Sequence, residues 1–280
     1  MKQVKSITIE SFFNKRGIVW TAIVFAILLY GNTLRNGYNL DDELVTINHR
    51  LTSKGITAIP EIFSSPYYQD AMGYSYEYRP VTLTTFAIEH QFFGDSPFVS
   101  HLFNLLLYVF CIVLFIQVVL KLFSKDNILF ALFSVLLFVA HPLHTEVVSS
   151  IKNRDELLSL IFALLALQQG LLYVKNGGII RIVITPLLLL AGVLSKTSCL
   201  PFFFIIPFAG ILIEESNLKK NTILFASLFP VLFFLLMLKG YPLIWSVYLM
   251  TAIALLLVLF ILLKNHTWRS RVIDAFKLFG

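Results

Sequence analysis

Charged residues are scarce in this chain and cysteine is almost absent. Only 14% of the 280 residues are Asp, Glu, Lys or Arg, whereas 58% are hydrophobic, and the mean hydropathy is +0.81. These values lie well outside the range of a soluble domain. The two cysteines, Cys111 and Cys199, both lie inside apolar runs, so we expect packing and not a disulfide framework. The composition predicts a polytopic integral membrane protein.

The formal net charge of +6 does not by itself indicate a nucleic-acid partner. In a membrane protein the informative property is which loops carry the Lys and Arg residues, because cytoplasmic loops are enriched in them. No internal repeat, low-complexity tract or soluble domain is visible that could bind nucleic acid. The bilayer is therefore the expected environment, and no nucleic acid is expected as a partner.

The apolar runs predict an all-α fold with about eight transmembrane helices, each long enough to cross or nearly cross the hydrocarbon layer. The predicted spans are 17–35, 97–122, 128–148, 155–174, 179–194, 199–213, 222–238 and 242–263. The segment 37–97 is different, since turn residues, charges and tyrosines interrupt any apolar run. We interpret it as a large first external loop. Apolar residues at near-helical spacing in 80–93 predict an amphipathic helix at the membrane interface.

The distribution of basic residues predicts the orientation. A basic stretch precedes the first span, so we place the N-terminus in the cytoplasm. With that start, most of the 22 Lys and Arg residues fall on the cytoplasmic side. The loop 37–97 then lies on the external, periplasmic or lumenal face.

Asp41-Asp42-Glu43 is the most conspicuous polar motif, because it follows directly after the first apolar run. Carboxylates are costly in a bilayer, so they either lie in water at a membrane face or mark a functional site. The acid motif can both lie in water at a membrane face and belong to a functional site. Asp41 and Asp42 are our candidates for acid–base chemistry.

A second polar cluster contains His141, His144 and Glu146, and the predicted topology places it on the same face. The two histidines lie on one side of a helical turn with Glu146 close by. Imidazole and carboxylate are zinc ligands, but the set has no HExxH pattern. Two interpretations of this cluster are therefore open, a divalent metal site and a polar helix end at the membrane interface. We predict no metal.

Basic residues on this face are candidates for binding phosphate. A guanidinium can hold a phosphate by paired hydrogen bonds, which suits Arg154 and Arg79. Lys196, in the motif Ser195-Lys196-Thr197-Ser198, is a further candidate. The alternatives are structural: Asn153 and Glu156 resemble a capping pair for the next helix, and the residues around Lys196 resemble a solvated turn.

Together these motifs resemble a known family. They stand in the order 39–48, 78–82, 101–108, 141–148, 153–158 and 195–196. This ordered set is similar to the membrane part of the transmembrane O-mannosyltransferases bearing tetratricopeptide repeats, which are C-type glycosyltransferases. The similarity covers residues 30 to about 200. The chain departs from the family in having fewer predicted spans, in lacking the soluble repeats, and in having Thr197 where an acid is expected.

The resemblance implies a single transmembrane glycosyltransferase-like domain over 1–280, truncated at its C-terminus. It implies transfer of a mannose-like sugar from a polyprenyl-phosphate-linked donor to a hydroxyl of a protein acceptor at the external face. Asp41 is then the base with Asp42 as helper, and no cofactor is expected. The predicted substrate-binding residues are Arg79, His141, His144, Glu146, Arg154 and Lys196. The alternatives are a transporter or flippase for a lipid-linked glycan, and a noncatalytic remnant of the enzyme.

Overall fold

The computed structural model describes residues 15–39, 41–47, 49–69, 72, 74–122, 128–213 and 218–238, and these residues are mostly helical. The α-helices are α1 (Lys15–Tyr30), α2 (Ile59–Ile62), α3 (Pro80–Phe93), α4 (Pro97–Leu122), α5 (Ile128–Val139), α6 (Leu143–Ser149), α7 (Arg154–Asn176), α8 (Ile179–Ser195), α9 (Phe202–Ile213) and α10 (Leu218–Leu238). Short 3-10 helices cover Gly31–Arg35, Thr52–Ala58 and Thr197–Cys199. Strand β1 (Tyr68–Gln69) pairs antiparallel with β2 (Ser75–Tyr76).

Several of these helices can cross a bilayer. Within the described residues, the segments Lys15–Arg35, Pro97–Lys121 and Arg154–Asn176 are long and apolar enough, at 21, 25 and 23 residues. The chain is therefore an integral membrane protein of the helical class. The predicted span at 128–148 is not one continuous helix, because α5 and α6 meet at a bend of 59°. The predicted span at 242–263 lies outside the described residues.

The bend between α5 and α6 follows from Pro142, which has no N–H group and cannot continue the helical hydrogen-bond ladder. The backbone N–H of Leu143 instead donates to Nδ1 of His141, at 3.3 Å. The carbonyl of Val139 accepts hydrogen bonds from the hydroxyl groups of Tyr30 at 2.9 Å and Tyr108 at 3.0 Å. The Val139 carbonyl, which the break in the helix would leave without a donor, is thus satisfied by side chains from α1 and α4.

The segment 37–97 forms a small folded layer with its own hydrophobic core. Helix α3 packs against the 3-10 helix Thr52–Ala58 and α2. The buried residues of this core are Val45, Leu51, Ala58, Ile62, Tyr67, Leu83, Phe86, Ala87 and Ile151. Ile151 comes from the connection between α6 and α7. The loop core is therefore joined to a segment more than fifty residues further along the chain.

A helix is present at 80–93 as predicted, since α3 begins at Pro80 and ends at Phe93, and its location at the membrane interface stays a prediction. Gly94 follows with φ of +63°, a left-handed conformation that glycine adopts without the steric cost of a Cβ. Helix α4 then begins at Pro97, where the missing N–H costs nothing because the first turn has no intrahelical acceptor. On α3, Leu83 and Glu89 are both buried, so this helix is a core element of the loop.

The chain divides into two compact units, and the division falls within α7 and α8. One unit comprises the described parts of Met1–Leu165 and Leu188–Phe202, and the other comprises those of Ala166–Leu187 and Phe203–Gly280. In the second unit, a Cβ on Gly170 would lie 2.7 Å from Cγ2 of Ile206, so glycine permits close packing of α7 on α9. All predicted site residues lie in the first unit.

Candidate active site

Asp42 is the buried member of the acid motif, with 0% of its surface exposed. Its Oδ1 accepts a hydrogen bond from the backbone N–H of Lys152 at 2.8 Å and one from the Ser150 hydroxyl at 3.2 Å. Its Oδ2 accepts from the backbone N–H of Asn39, at 3.0 Å. A carboxylate removed from water needs such donors. Asp42 thereby fastens the acid motif to the connection between α6 and α7.

Asp41 is the accessible member of the pair, since 64% of its side chain is exposed. Its Oδ2 accepts a hydrogen bond from Nζ of Lys152, at 2.8 Å. Consecutive residues of the turn thus place one carboxylate inside the protein and one in solvent. The geometry leaves the Asp41 carboxylate accessible to a ligand, whereas Asp42 holds the turn in place.

Arg79 lies immediately before α3 and is buried. Its guanidinium forms ion pairs with Asp155 and Glu77 and lies over the Tyr67 ring, 4.9 Å from the centroid. Glu77 has φ of +51°, which is unusual for a residue with a Cβ. Burial raises the pKa of the Tyr67 phenol, the nearby Asp155 carboxylate adds to this effect, and the hydroxyl stays protonated. Arg79 therefore joins the segment 37–97 to the start of α7.

Lys196 reaches the same carboxylate from the end of α8. Its Nζ lies 3.3 Å from Oδ1 of Asp155 and 2.9 Å from Oε1 of Glu156. The Ser198 hydroxyl donates to the other Glu156 oxygen at 2.7 Å. Asp155 is fully buried, whereas 21% of the Lys196 side chain is exposed. Lys196 is therefore more accessible to a ligand than Arg79.

Arg154 is the first residue of α7 and is buried, with 1% of its surface exposed. One guanidinium nitrogen lies 2.7 Å from a Glu89 carboxylate oxygen, and Nε donates to the side-chain carbonyl of Asn104 at 2.9 Å. Another hydrogen bond goes to the Ser100 carbonyl, at 3.2 Å. The guanidinium also lies 4.1 Å from the centroid of Phe86. This environment favours a role in joining α3, α4 and α7 over direct contact with a phosphate.

His141 and His144 lie near one another, with ring centroids 5.6 Å apart. Nδ1 of His144 shares a hydrogen bond with the Tyr108 hydroxyl, at 2.9 Å. His141 is exposed and so is Glu146. Within the described ranges, no three His, Cys, Asp or Glu side chains are grouped so that they could hold a metal ion. The absence of a resident metal stays a prediction.

Two cavities in this unit border the predicted residues. A cavity of about 230 Å³ has a mainly apolar lining that includes Phe138, Leu160 and Phe202, and His144 and Glu156 are among its polar members. A second cavity of about 430 Å³ is lined by residues 36–39 together with Glu146, Ser149 and Ser150. The first has the lining of a site for an apolar chain with a polar end. The second lies beside the segment that holds Asp42.

Five of the eight predicted residues thus form three neighbouring sets. Asp41 and Asp42 both contact Lys152. Arg79 and Lys196 both contact Asp155. Arg154 forms the third set through its ion pair with Glu89. Sequence reasoning assigned no role to Lys152, Asp155 or Glu89, which make the central contacts. Lys152 and Asp155 are visible in the sequence as charges on either side of Asn153 and Arg154. Glu89 gave only the weak signal of a lone acid in a predicted interfacial helix.

The chain is similar in sequence to several curated relatives. It is 31% identical over 160 residues to the Caenorhabditis elegans protein O-mannosyl-transferase F38B6.6, covering 55% of this chain and 22% of the relative. It is 30% identical over 154 residues to human protein O-mannosyl-transferase TMTC3, covering 53% of this chain and 16% of the relative. It is 33% identical over 154 residues to Xenopus laevis protein O-mannosyl-transferase tmtc2, covering 54% and 18%.

The matched part of this chain spans less than a quarter of the length of these relatives, at 22%, 16% and 18%. No family model matches the chain. No solved structure matches it either. The resemblance of its ordered motifs to the transmembrane O-mannosyltransferases is nevertheless confirmed, because about half of the chain is similar at about 30% identity to proteins of that name.

Proposed function

We propose that this protein is a membrane glycosyltransferase, which moves a mannose-like sugar from a polyprenyl-phosphate-linked donor to a hydroxyl of a protein acceptor. The observation that carries the proposal is the accessible Asp41 carboxylate, 2.8 Å from a lysine ammonium on a turn that Asp42 anchors by buried hydrogen bonds. The names of the relatives support a glycosyltransferase acting on proteins.

The proposed reaction places Asp41 as general base. The acceptor hydroxyl transfers its proton to the carboxylate as its oxygen bonds to the anomeric carbon of the sugar. The bond between that carbon and the phosphate oxygen breaks, and the electron pair leaves with the polyprenyl phosphate. Such proton acceptance contributes about 100- to 10,000-fold to a rate. Asp42 holds the turn so that the Asp41 carboxylate keeps its position.

The leaving phosphate needs cations or hydrogen-bond donors. Lys196 and the histidines His141 and His144 are the proposed contacts, because they are less buried than the arginines. Arg79 and Arg154 already face Asp155 and Glu89, so we assign them the role of positioning the loop. The cavity of about 230 Å³ supports the proposal of a lipid-linked donor, because its lining is mainly apolar. Glu146, which borders the other cavity, is proposed to face the acceptor.

The proposed setting is a C-type glycosyltransferase architecture with about eight membrane spans in one domain. The N-terminus is proposed to lie in the cytoplasm, with the loop 37–97 and helix α3 at the external face. The apolar helices support membrane insertion, and the basic residues support the orientation.

A transfer assay tests the proposal. Full-length protein in proteoliposomes is given a radiolabelled polyprenyl-phosphate mannose and a peptide acceptor rich in serine and threonine. We expect label in the peptide with wild-type protein and none with Asp41→Asn. Glu61→Gln is a matched control, since Glu61 is another exposed acid of the same loop whose partners are surface cations. Donor movement across the bilayer without labelled peptide would instead support a transporter, and donor binding without either would support a noncatalytic protein.

A further inference from the structure

Lys152 contacts both carboxylates of the acid motif by two different groups. Its backbone N–H donates to Oδ1 of buried Asp42, and its side-chain Nζ donates to Oδ2 of exposed Asp41, each at 2.8 Å. The hydroxyl of Tyr67 approaches its backbone carbonyl, at 3.5 Å. The backbone of Lys152 is therefore held by the protein interior, whereas its ammonium pairs, among the described residues, with the exposed carboxylate of Asp41.

The cations around the site differ in how readily they can change partner. The side chains of Arg79 and Arg154 are 9% and 2% exposed, and each pairs with a carboxylate that is almost fully buried, that of Asp155 and that of Glu89 respectively. Removing either guanidinium from its partner would leave a buried charge unpaired, which is costly. The partner of Lys152 is 64% exposed, and water can solvate that carboxylate when the ammonium leaves. The Lys152 side chain is 23% exposed, so the pair is partly exposed, and an ion pair with access to water is worth less than a buried one.

We propose that Lys152 exchanges between Asp41 and the phosphate of the donor, which rests on the function proposed above. Without donor, the ammonium holds the Asp41 carboxylate and competes for the lone pair that would accept the acceptor's proton. When donor binds, the ammonium moves to the phosphate and the carboxylate becomes free to accept that proton. Binding of the donor thereby prepares the base.

This exchange predicts a competition that a fixed ion pair does not. Because Asp41 and the phosphate use the same ammonium, removing the charge of Asp41 should strengthen phosphate binding while it abolishes transfer. Removing the ammonium should weaken phosphate binding. A lysine that only positions Asp41 would leave phosphate affinity unchanged in both variants.

Binding of a polyprenyl monophosphate to full-length protein in nanodiscs tests the proposal without requiring turnover. We expect Asp41→Asn to bind it about two- to fivefold more tightly than wild type, because the partly exposed ion pair no longer has to be broken. Lys152→Gln should bind about tenfold more weakly or worse, and Lys152→Arg should recover most of the affinity. Lys54→Gln and Glu61→Gln are matched controls, since they break a surface Lys–Glu pair in the same loop, at 3.2 Å, and should change nothing. The matching polyprenol and inorganic phosphate show how much of the binding comes from each part of the probe.

The outcomes separate this inference from the proposed function. If wild-type protein binds the polyprenyl phosphate and transfers mannose, but Asp41→Asn and Lys152→Gln bind it as wild type does, the exchange is refuted and the glycosyltransferase stands. If wild type shows neither binding nor transfer, both fail. Should Lys152→Gln not fold, Asp41→Asn still decides, because it keeps Lys152 and the buried hydrogen bonds of Asp42.

Discussion

Charged side chains in the candidate site fall into two groups by their access to water. Asp42, Asp155 and Arg154 are buried, and each is satisfied by groups of the protein itself. Asp41 is exposed, and Lys196 is partly exposed. A buried charge without partners is costly, so the first group holds the structure together. The second group can exchange its partners for a substrate and is therefore available for chemistry.

Replacing each acid of the motif by its amide should separate chemistry from structure. Asp41→Asn should lower transfer by about 100- to 10,000-fold, because the amide cannot accept the proton, with the melting temperature unchanged. Asp42→Asn should lower the free energy of unfolding by about 1 to 3 kcal/mol, because its amide nitrogen would face N–H and O–H donors. The rate of transfer and the thermal melting of both purified variants measure this. Normal turnover of Asp41→Asn with loss in stable Asp42→Asn would reverse the two roles.

The contact between Arg154 and Glu89 gives a second prediction for single residues. Arg154→Ala leaves the Glu89 carboxylate buried without its cation and should cost about 3 to 5 kcal/mol of stability. Arg154→Met combined with Glu89→Gln should recover part of that loss, because neither side chain then carries a charge. The sequence alone predicted a weaker affinity for donor, about 10- to 150-fold on alanine substitution if Arg154 clamps phosphate. Thermal melting and donor binding on the same variants distinguish the two roles, and donor loss in a stable double variant would favour the clamp.

At the scale of elements, the connection between α6 and α7 organises the site. Ser150 and Lys152 bind Asp42, and Ile151 packs in the core of the loop. At the start of α7, Arg154 pairs with Glu89 of α3, and Asp155 pairs with Arg79, the residue before α3. Loop 37–97 therefore depends for its position on a short segment that belongs to another part of the chain. The bend at Pro142 directs the chain into this connection.

His49 makes part of this loop sensitive to pH. Its Nε2–H donates to the Tyr67 carbonyl at 3.0 Å, and its Nδ1 accepts from the backbone N–H groups of Leu51 at 3.3 Å and Thr52 at 3.2 Å. Burial lowers the pKa of His49 and nearby Arg50 lowers it further, partly offset by the bond to Tyr67. Protonation of Nδ1 would remove the acceptor of both N–H groups.

The direction of the pH effect follows from that lowered pKa. The unfolded loop binds the proton more readily than the folded loop, so the stabilisation is fully present above about pH 6.5 and is lost as the pH falls below it. The protection of the Leu51 and Thr52 amides against hydrogen exchange, relative to the intrinsic rate at each pH, should therefore fall as the pH is lowered from about 7.5 to 5.5. His49→Gln should remove this dependence. Glu61 is not the cause, because its surface cations lower its pKa and move its titration to more acidic pH. Unchanged protection of both amides at low pH would contradict the assignment.

At the scale of the whole molecule, the bilayer decides which charges can meet a substrate. The membrane-crossing helices carry few charges, and the candidate site lies at the ends of helices and in the connections between them. A site at one membrane face requires that all the interhelical segments that form it lie on the same side of the bilayer. The orientation of the chain is thus a condition for every functional proposal above.

Cysteine labelling tests that orientation. In a background without Cys111 and Cys199, a cysteine at Ser64 should react with a membrane-impermeant reagent from outside, and one at Ser124 should react only after permeabilisation. Ser64 is exposed on the loop surface, so its labelling depends on sidedness and not on burial. Both native cysteines are buried and free, so their conservative replacement removes background without breaking a disulfide. The reverse pattern would place the acid motif in the cytoplasm.

Much of the architecture was determined by the sequence itself. Long apolar runs predicted membrane helices because a helix crossing hydrocarbon must satisfy its backbone internally and bear apolar side chains. The sequence also placed helix ends, since the predicted bounds 80–93 and the predicted start at 97 agree with α3 and α4. The span at 128–148 was predicted as continuous although Pro142 lies within it, because hydropathy does not register a missing N–H group. The ordered motifs also identified the family that the chain resembles.

The roles of individual charges were decided only by the tertiary structure. Asp41 and Asp42 are the same residue type at consecutive positions, and nothing local distinguishes them. Their difference arises because Ser150 and Lys152, more than a hundred residues away, supply donors to one carboxylate and leave the other in water. Arg154 likewise meets Glu89 only because α3 and α7 pack together. Burial and pairing depend on which distant segments meet, and a short-range sequence pattern carries no information about that meeting.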